Sequence, residues 1–313
     1  MILTINVNAA LDRVFFIDRF IPSTHMRTGR SVISVGGKGL DTALVLQTLG
    51  APVCALSFVA GKNGESIAAL LEQQQVPSEL IWLPGETRES IVIVETDLNR
   101  HSHITTQGYT LRPEDVTQIF NRVDALAPAA EWAVIAGTMP GGAPVTLYRD
   151  LIDRLHQHGV KVLIDGFGPP IIESLPAHPE IVKMNQSEFK ETFNVEARGL
   201  EEWLKVCKIE MERHEIPALV ITCGKDGILG FTPAGVFQAG AIEVKEVNAA
   251  GAGDAVSAAL THRLSLGETW QQALTWAVAT SAAVVITDGT AEAHMSDILE
   301  FYPRAWVKQL EYS

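Results

Sequence analysis

Apolar and polar positions alternate along the chain in two rhythms, and the switching between them predicts most of its elements. Short runs that are apolar nearly throughout fall at 2–7, 53–59, 132–136, 161–164, 181–183 and 218–222. Longer stretches with helical periodicity fall at 39–49, 65–74, 114–126, 145–158, 187–193, 200–214, 252–264 and 270–285. Strands without a polar side need cover on both faces. The alternation therefore predicts an α/β fold: a doubly wound, mainly parallel sheet with helices on both faces. Two segments, about 11–35 and 86–108, break the rhythm with shorter mixed alternation, as in Ser90-Ile91-Val92-Ile93-Val94-Glu95. They predict antiparallel strands of a small inserted β-sheet. No linker, charge block or repeat divides the chain, so 1–313 reads as a single domain carrying those insertions.

Composition narrows the function classes. With 47% hydrophobic and 19% charged residues among 313, the chain can bury a sizeable core and is not disordered. Lys and Arg number 24 against 37 Asp and Glu, a formal charge of −13. Such a surface repels phosphate backbones and anionic membranes, so neither nucleic acid nor membrane is expected as a partner. Cations that bind an anionic substrate must then be concentrated locally. Cys54, Cys207 and Cys223 are odd in number and far apart, which fits a reducing compartment. Together with an N-terminus that lacks a basic leader, this predicts a cytoplasmic protein.

The strongest local signal is Asn248-Ala249-Ala250-Gly251-Ala252-Gly253-Asp254, ahead of an apolar helical stretch. Small residues let the first backbone N–H groups of that helix approach a ligand, and those free donors suit an anion. Asp254 stands in the first turn, placed to take a proton from a hydroxyl. A Gly-rich turn with a helix-stabilising Asp is the plain structural reading. A dinucleotide fingerprint fails, because Val256 occupies the place of its third glycine. The second cluster is Gly36-Gly37-Lys38-Gly39, with Asp41 two positions on. It is no P-loop, since Ser or Thr does not follow Lys38. What remains is close backbone approach to a small polar ligand with a cation beside it, or simply a helix-entry turn. Lys183-Met184-Asn185-Gln186-Ser187-Glu188 and Thr222-Cys223-Gly224-Lys225-Asp226-Gly227 each follow a buried strand. Asn185 and Glu188 have the spacing of a capping box, and 222–227 that of a hairpin turn.

In this order, and with Asn8-Ala9-Ala10-Leu11-Asp12 at the start, these stretches resemble the ribokinase-like (PfkB) carbohydrate kinases from residue 1 to about 300. The likeness is nearest to the 1-phosphofructokinase and tagatose-6-phosphate kinase branch. It implies transfer of the ATP γ-phosphoryl group to a sugar hydroxyl, with Asp254 as base and the N–H groups of Gly251, Ala252, Gly253 and Asp254 as anion hole. It also implies that Lys183, Asn185, Glu188, Thr222, Gly224 and Gly227 serve the nucleotide, Glu188 meeting Mg²⁺ through water. A monovalent cation is a further candidate cofactor. Asp12, Gly36, Gly37 and Asp41 fall on the acceptor side, and the two insertions correspond to a β lid that forms a homodimer interface.

Lys38, Arg88 and Arg27 are cations in or near the glycine loop and lid, and the branch implies that they hold a phosphate already on the sugar. A fructose 1-phosphate, fructose 6-phosphate or tagatose 6-phosphate acceptor follows. Three positions depart from the pattern. Asp41 replaces the usual Asn, His103 lies near a place where relatives carry Arg, and Gln107-Gly108 replaces Pro-Gly. An unphosphorylated sugar or nucleoside is the alternative acceptor, and a catalytically silent ligand-binding protein the alternative class. The intact Gly251–Asp254 element argues against silence.

Overall fold

The structure, a computed structural model, describes residues 1–98 and 100–311. In chain order it runs β1 (Ile2–Asn6), β2 (Ala10–Ile17), β3 (Arg30–Gly36), α1 (Lys38–Thr48), β4 (Val53–Ala60) and α2 (Gly61–Gln73). Then come β5 (Ser78–Leu83), β6 (Arg88–Glu95), β7 (Arg100–Thr105), α3 (Pro113–Leu126), β8 (Trp132–Ala136), α4 (Leu147–Gln157) and β9 (Lys161–Asp165). Next are α5 (Pro169–Ser174), β10 (Ile181–Asn185), α6 (Gln186–Phe193), α7 (Gly199–His214), β11 (Leu219–Thr222), β12 (Ile228–Thr232) and β13 (Gly235–Ala239). The chain closes with α8 (Ala252–Ser265), α9 (Trp270–Val285), α10 (Met295–Phe301) and β14 (Val307–Leu310).

Ten strands form one sheet in the order β14-β13-β12-β11-β10-β9-β8-β1-β4-β5. From β5 to β11 every pairing is parallel, while β12, β13 and β14 add on antiparallel. The expected α/β architecture is therefore the observed one. Side chains of β1 alternate between two buried clusters, Ile2 on one face, Leu3 and Ile5 on the other. Helices α1, α2, α8 and α9 cover the first face, and α3, α4, α6 and α7 the second. Wholly enclosed side chains such as Phe58 and Tyr148 each contribute about 1.5–3 kcal/mol of apolar burial.

Edge elements differ from the sequence expectation. β5 and β12 to β14 lie outside the predicted strands: β5 and β14 are the edges, covered on fewer sides and without a continuous apolar run, while the inner β12 and β13 are short and interrupted by Gly230 and Gln238. Only Ile81 and Leu83 of β5 are buried, while Trp82 is 49% exposed. The segments 11–35 and 86–108 supply a separate four-stranded sheet, ordered β3-β2-β6-β7. Its two hairpins are antiparallel, but β2 and β6 run parallel. Each of those strands follows a strand of the main sheet, β1 or β5, so the two enter the small sheet in the same direction. One face of the small sheet carries Asp12, Val14, Phe16, Val92 and Val94 and turns toward the main body. His103 lies opposite Val92 on that face. No helix among the described residues is long and apolar enough to cross a membrane.

Candidate active site

Parallel strands deliver their carboxyl ends to one edge of the sheet, and the chemistry-bearing residues collect there. Lys183 of β10 lies directly across from Asp165, the last residue of β9. Its ammonium donates to Asp165 Oδ2 at 2.7 Å, in a pair that is essentially closed to solvent. Lys38 reaches Asp165 Oδ1 at 2.9 Å and Glu188 Oε1 at 2.6 Å. Ser257 Oγ of α8 donates to Asp165 Oδ2 at 2.8 Å. Burial alone would raise the Asp165 carboxyl, but Lys183 and Lys38 overcome it and hold the group down at about 2. Burial likewise opposes the Lys38 charge, and Asp165, Glu188 and Asp254 more than offset it, holding the ammonium above the ordinary lysine range.

The capping box predicted at Asn185 and Glu188 is present. Asn185 Oδ1 accepts from the Glu188 N–H at 2.9 Å, and Glu188 Oε2 accepts from the Asn185 N–H at 2.8 Å. This leaves Oε1 for Lys38, so Glu188 joins a structural duty to a place in the site. Lys38, Lys183, Asn185, Glu188, Gly253 and Asp254 form the polar end of a cavity of about 740 Å³. Thr222, Gly224 and Gly227 line it further out, and Ile228, Ile242, Val244, Val278 and Val285 make an apolar slot. The 222–227 stretch is also the predicted hairpin turn, since Thr222 pairs with Ile228 across β11 and β12. Gly227 (φ 90°) must be glycine, because a Cβ there would fall 2.0 Å from the Ala239 carbonyl oxygen.

Asp254 stands at the start of α8, 7% exposed. Its helix begins at Gly251 in the left-handed region (φ 85°), where a Cβ would meet the Ala291 backbone at 2.4 Å. The N–H groups of Gly253 and Asp254 precede the first helical bond, which Ala255 makes to the Gly251 carbonyl at 2.9 Å. The Ala252 N–H is taken up by the Ala249 carbonyl at 3.2 Å, so the donor set is narrower than the sequence suggested. A Cβ at Gly253 would lie 3.0 Å from Lys183 Nζ, which sets that ammonium over the helix entry. Burial and the Asp165 charge raise the Asp254 carboxyl, Lys183 and Lys38 pull it back, and the result is about 7.

Beyond Asp254 lies the small four-stranded sheet, the lid of the sequence expectation. Asp12 is 7% exposed, its Oδ2 accepts from Thr290 Oγ1 at 2.8 Å, and burial lifts it to about 6 against that bond and Arg88. Asp41, in the first turn of α1, is 4% exposed. Arg88 donates to the carbonyls of Asn8 (3.1 Å) and Ala9 (3.4 Å) and feels the charges of Asp12 and Asp41. Arg27 lies exposed on the loop between β2 and β3. Of the three cations, Lys38 faces the cavity with Asp165 and Glu188, and Arg88 lies near the charges of Asp12 and Asp41.

The glycine loop is explained largely by the chain itself. A Cβ at Gly36 would fall 2.0 Å from Asp12 Oδ1, one at Gly37 2.9 Å from Asn6 Oδ1, and one at Gly39 2.8 Å from Asn6 Cβ. Asn6 ends β1 and is fully buried, donating to Ser57 Oγ at 3.1 Å. Neither Asn6 nor Asp165 was singled out from sequence. Asp165 carries a usable signal, as a charged residue directly after the apolar run Val162-Leu163-Ile164.

Among the described residues no group of three or more His, Cys, Asp or Glu could hold a metal ion. Both Glu188 oxygens already have protein donors, which suits a divalent ion that keeps its water shell and arrives with phosphates.

A family model described as pfkB family carbohydrate kinase matches residues 7–297. The ATP-dependent 6-phosphofructokinase isozyme 2 of Mycobacterium tuberculosis is 26% identical over 304 residues, spanning 97% of this chain and 89% of that protein. The 1-phosphofructokinase of Haemophilus influenzae is 28% identical over 91% of this chain and 90% of its own length. The crystal structure of Escherichia coli phosphofructokinase-2 in complex with potassium has a TM-score of 0.88 at 23% identity, covering 97% of this chain and 98% of that one. The match takes in both glycine clusters, and the shared fold runs nearly end to end: the chain belongs to the pfkB family of carbohydrate kinases.

Proposed function

We propose that this kinase transfers the γ-phosphoryl group of ATP to a hydroxyl of a phosphorylated sugar, of the fructose 1-phosphate, fructose 6-phosphate or tagatose 6-phosphate type. One observation carries the reading. Asp254 closes a cavity that has an apolar slot at one end and two lysines at the other, and it faces buried carboxylates of the lid side. The slot accepts a base, Lys38 and Lys183 meet the phosphates, and the N–H groups of Gly253 and Asp254 meet the charge that develops on the transferred group. Asp254 takes the proton of the attacking hydroxyl. A carboxyl near 7 is divided between acid and base at neutral pH, and late proton movement suits a loose phosphoryl transfer.

Magnesium, arriving with the nucleotide, would supply charge neutralisation between phosphates, with Glu188 and Asn185 meeting its water shell. Dependence on a monovalent cation is part of this proposal and draws on the potassium complex of the Escherichia coli neighbour. Asp12, Gly36, Gly37 and Asp41 border the acceptor, and Arg88 holds its phosphate. Association of two copies through the lid draws on the outer lid face, where Ile33 is 49% and Ile104 55% exposed. A reducing cytoplasm suits the buried, unbridged Cys54, Cys207 and Cys223.

An unphosphorylated sugar or nucleoside is the second reading, and the engagement of Lys38 by Asp165 and Glu188 favours it. ATP consumption measured with the three sugar phosphates beside their free sugars decides between the two. Turnover of a sugar phosphate supports the first reading, and preference for a free sugar overturns it.

A further inference from the structure

The apolar slot of the cavity has two walls that are supported very differently. One is α9, which contributes Val278, Ser281, Ala282 and Val285. The other is the stretch 241–246, which has no regular secondary structure. Along it Ile242 and Val244 pack toward the core, while Glu243 and Lys245 stay exposed. Among the described residues the backbone of 240–246 makes two hydrogen bonds, and both go to the C-terminal segment. The Gly240 N–H donates to the Trp306 carbonyl at 3.2 Å, and Arg304 Nη2 donates to the Glu243 carbonyl at 3.0 Å. Trp306 also lays the edge of its ring on Gly240, where a Cβ would fall 2.1 Å from Cε2. The cavity-lining turn at Gly227 approaches the same entry, since a Cβ there would come within 2.8 Å of the Ala241 nitrogen. The C-terminal segment holds the first wall as well. Tyr302 packs on Trp276 of α9 with ring centroids 4.7 Å apart, and Gln271 of α9 donates to the Val307 carbonyl at 3.4 Å.

We propose that Trp306 and Arg304 are positioning residues for the nucleotide: they tie the 240–246 stretch to α9 and so set the width of the slot that takes the base. Neither side chain lines the cavity, so both act through the stretch they hold. Trp306 is 50% exposed, and its ring covers Gly240 rather than filling the core. Width matters because dispersion contact is lost over a fraction of an ångström, and a wall free to drift gives up much of its grip on a flat ring. The inference rests on the reading of the slot as the nucleotide site.

Calorimetric titration with ATP and magnesium, beside steady-state kinetics, tests it. Trp306→Ala should raise the ATP Kd by about tenfold or more, and leave kcat at saturating ATP and the acceptor KM within about twofold of wild type. Trp306→Phe, which keeps a flat ring over Gly240, should restore most of the lost affinity. A merely structural role would lower all three constants together and would not single out ATP. Arg304→Ala removes one hydrogen bond from an exposed side chain and should raise the ATP Kd about three- to tenfold, so it decides the matter should Trp306→Ala not fold. An ATP Kd unchanged in these variants, or an acceptor KM that rises as far as the ATP KM without rescue by Phe, overturns the proposal while wild type still binds ATP. A wild type that binds no ATP overturns the nucleotide reading itself, and the proposal with it.

Discussion

The two sides of Asp254 are built on opposite electrostatic principles. Toward the cavity, Lys38 and Lys183 are matched by Asp165 and Glu188 at 2.6–2.9 Å, and charge balances within the protein. Toward the lid, Asp12 and Asp41 meet only part of the Arg88 charge, and one carboxyl oxygen has no partner. The cavity side is finished before a ligand arrives. The lid side is left incomplete. That asymmetry suits a kinase that uses a common donor and a particular acceptor, since buried unpaired groups reject molecules that fail to satisfy them.

Breaking the balanced side should have the largest effect. Asp165→Asn leaves the Lys183 ammonium on a neutral amide and Lys38 with Glu188 alone, and removing one partner of a buried ion pair costs about 3–5 kcal/mol. Urea unfolding should show a loss of that size, and a loss under about 1 kcal/mol would mean that the pairs are not held as described. Asp254→Asn comes next, with turnover falling at least about 10²-fold as expected for loss of a general base. Nucleotide affinity should change little. Near-normal turnover of the purified variant would remove Asp254 from the proton transfer.

How much of this contrast sequence could show depends on how local each feature is. The central strands and all eight predicted helices were legible, because full burial writes itself as an unbroken apolar or periodic run. The Asn185–Glu188 capping box and the first-turn position of Asp254 were legible too, since each is set within a few positions of a helix entry. Lys38 and Glu188 were each found, but their pairing and Asp165 were not, because Asp165 and Glu188 lie 127 and 150 residues from Lys38. The Lys183–Asp165 pair exists only through the register of β10 on β9. The close approaches at the glycine loop are of the same long-range kind, because the protein atoms crowding Gly36 and Gly37 belong to Asp12 and Asn6.

On the incomplete side, Arg88→Ala should raise the acceptor KM about 10- to 150-fold, the range for one charge-assisted contact, and leave the ATP KM near its starting value. Equal changes in both constants would detach Arg88 from the acceptor. The pH dependence of stability should have opposite signs across Asp254. Asp165, held at about 2, contributes stability that is present above about pH 4 and is lost as pH falls through 2. Asp12, lifted to about 6, is easiest to accommodate below about pH 4, and its burial becomes more costly as pH rises through 6. Asp12→Asn should therefore melt a few degrees above wild type at neutral pH and lose that advantage below about pH 4. An advantage that grows on acidification would reverse the assignment.

The smallest effect belongs to the contacts that close the lid on the body. Arg30 of β3 pairs with Asp288 through Nε, at 2.6 Å, and Nη2, and His101 of β7 reaches Glu246 at 3.3 Å. The two side chains of the Arg30–Asp288 pair are 50% and 36% exposed, so water and salt screen them, and pairs of this kind contribute at most about 1 kcal/mol. By contrast, the Thr290–Asp12 bond and the Val14, Phe16, Val92 and Val94 cluster are buried, and lid closure should rest mainly on them. Arg30→Ala should accordingly raise the acceptor KM by no more than about fivefold, and the difference from wild type should fade as ionic strength is raised. A rise beyond about 10²-fold that persists in high salt would show that the exposed pair, not the buried face, holds the lid.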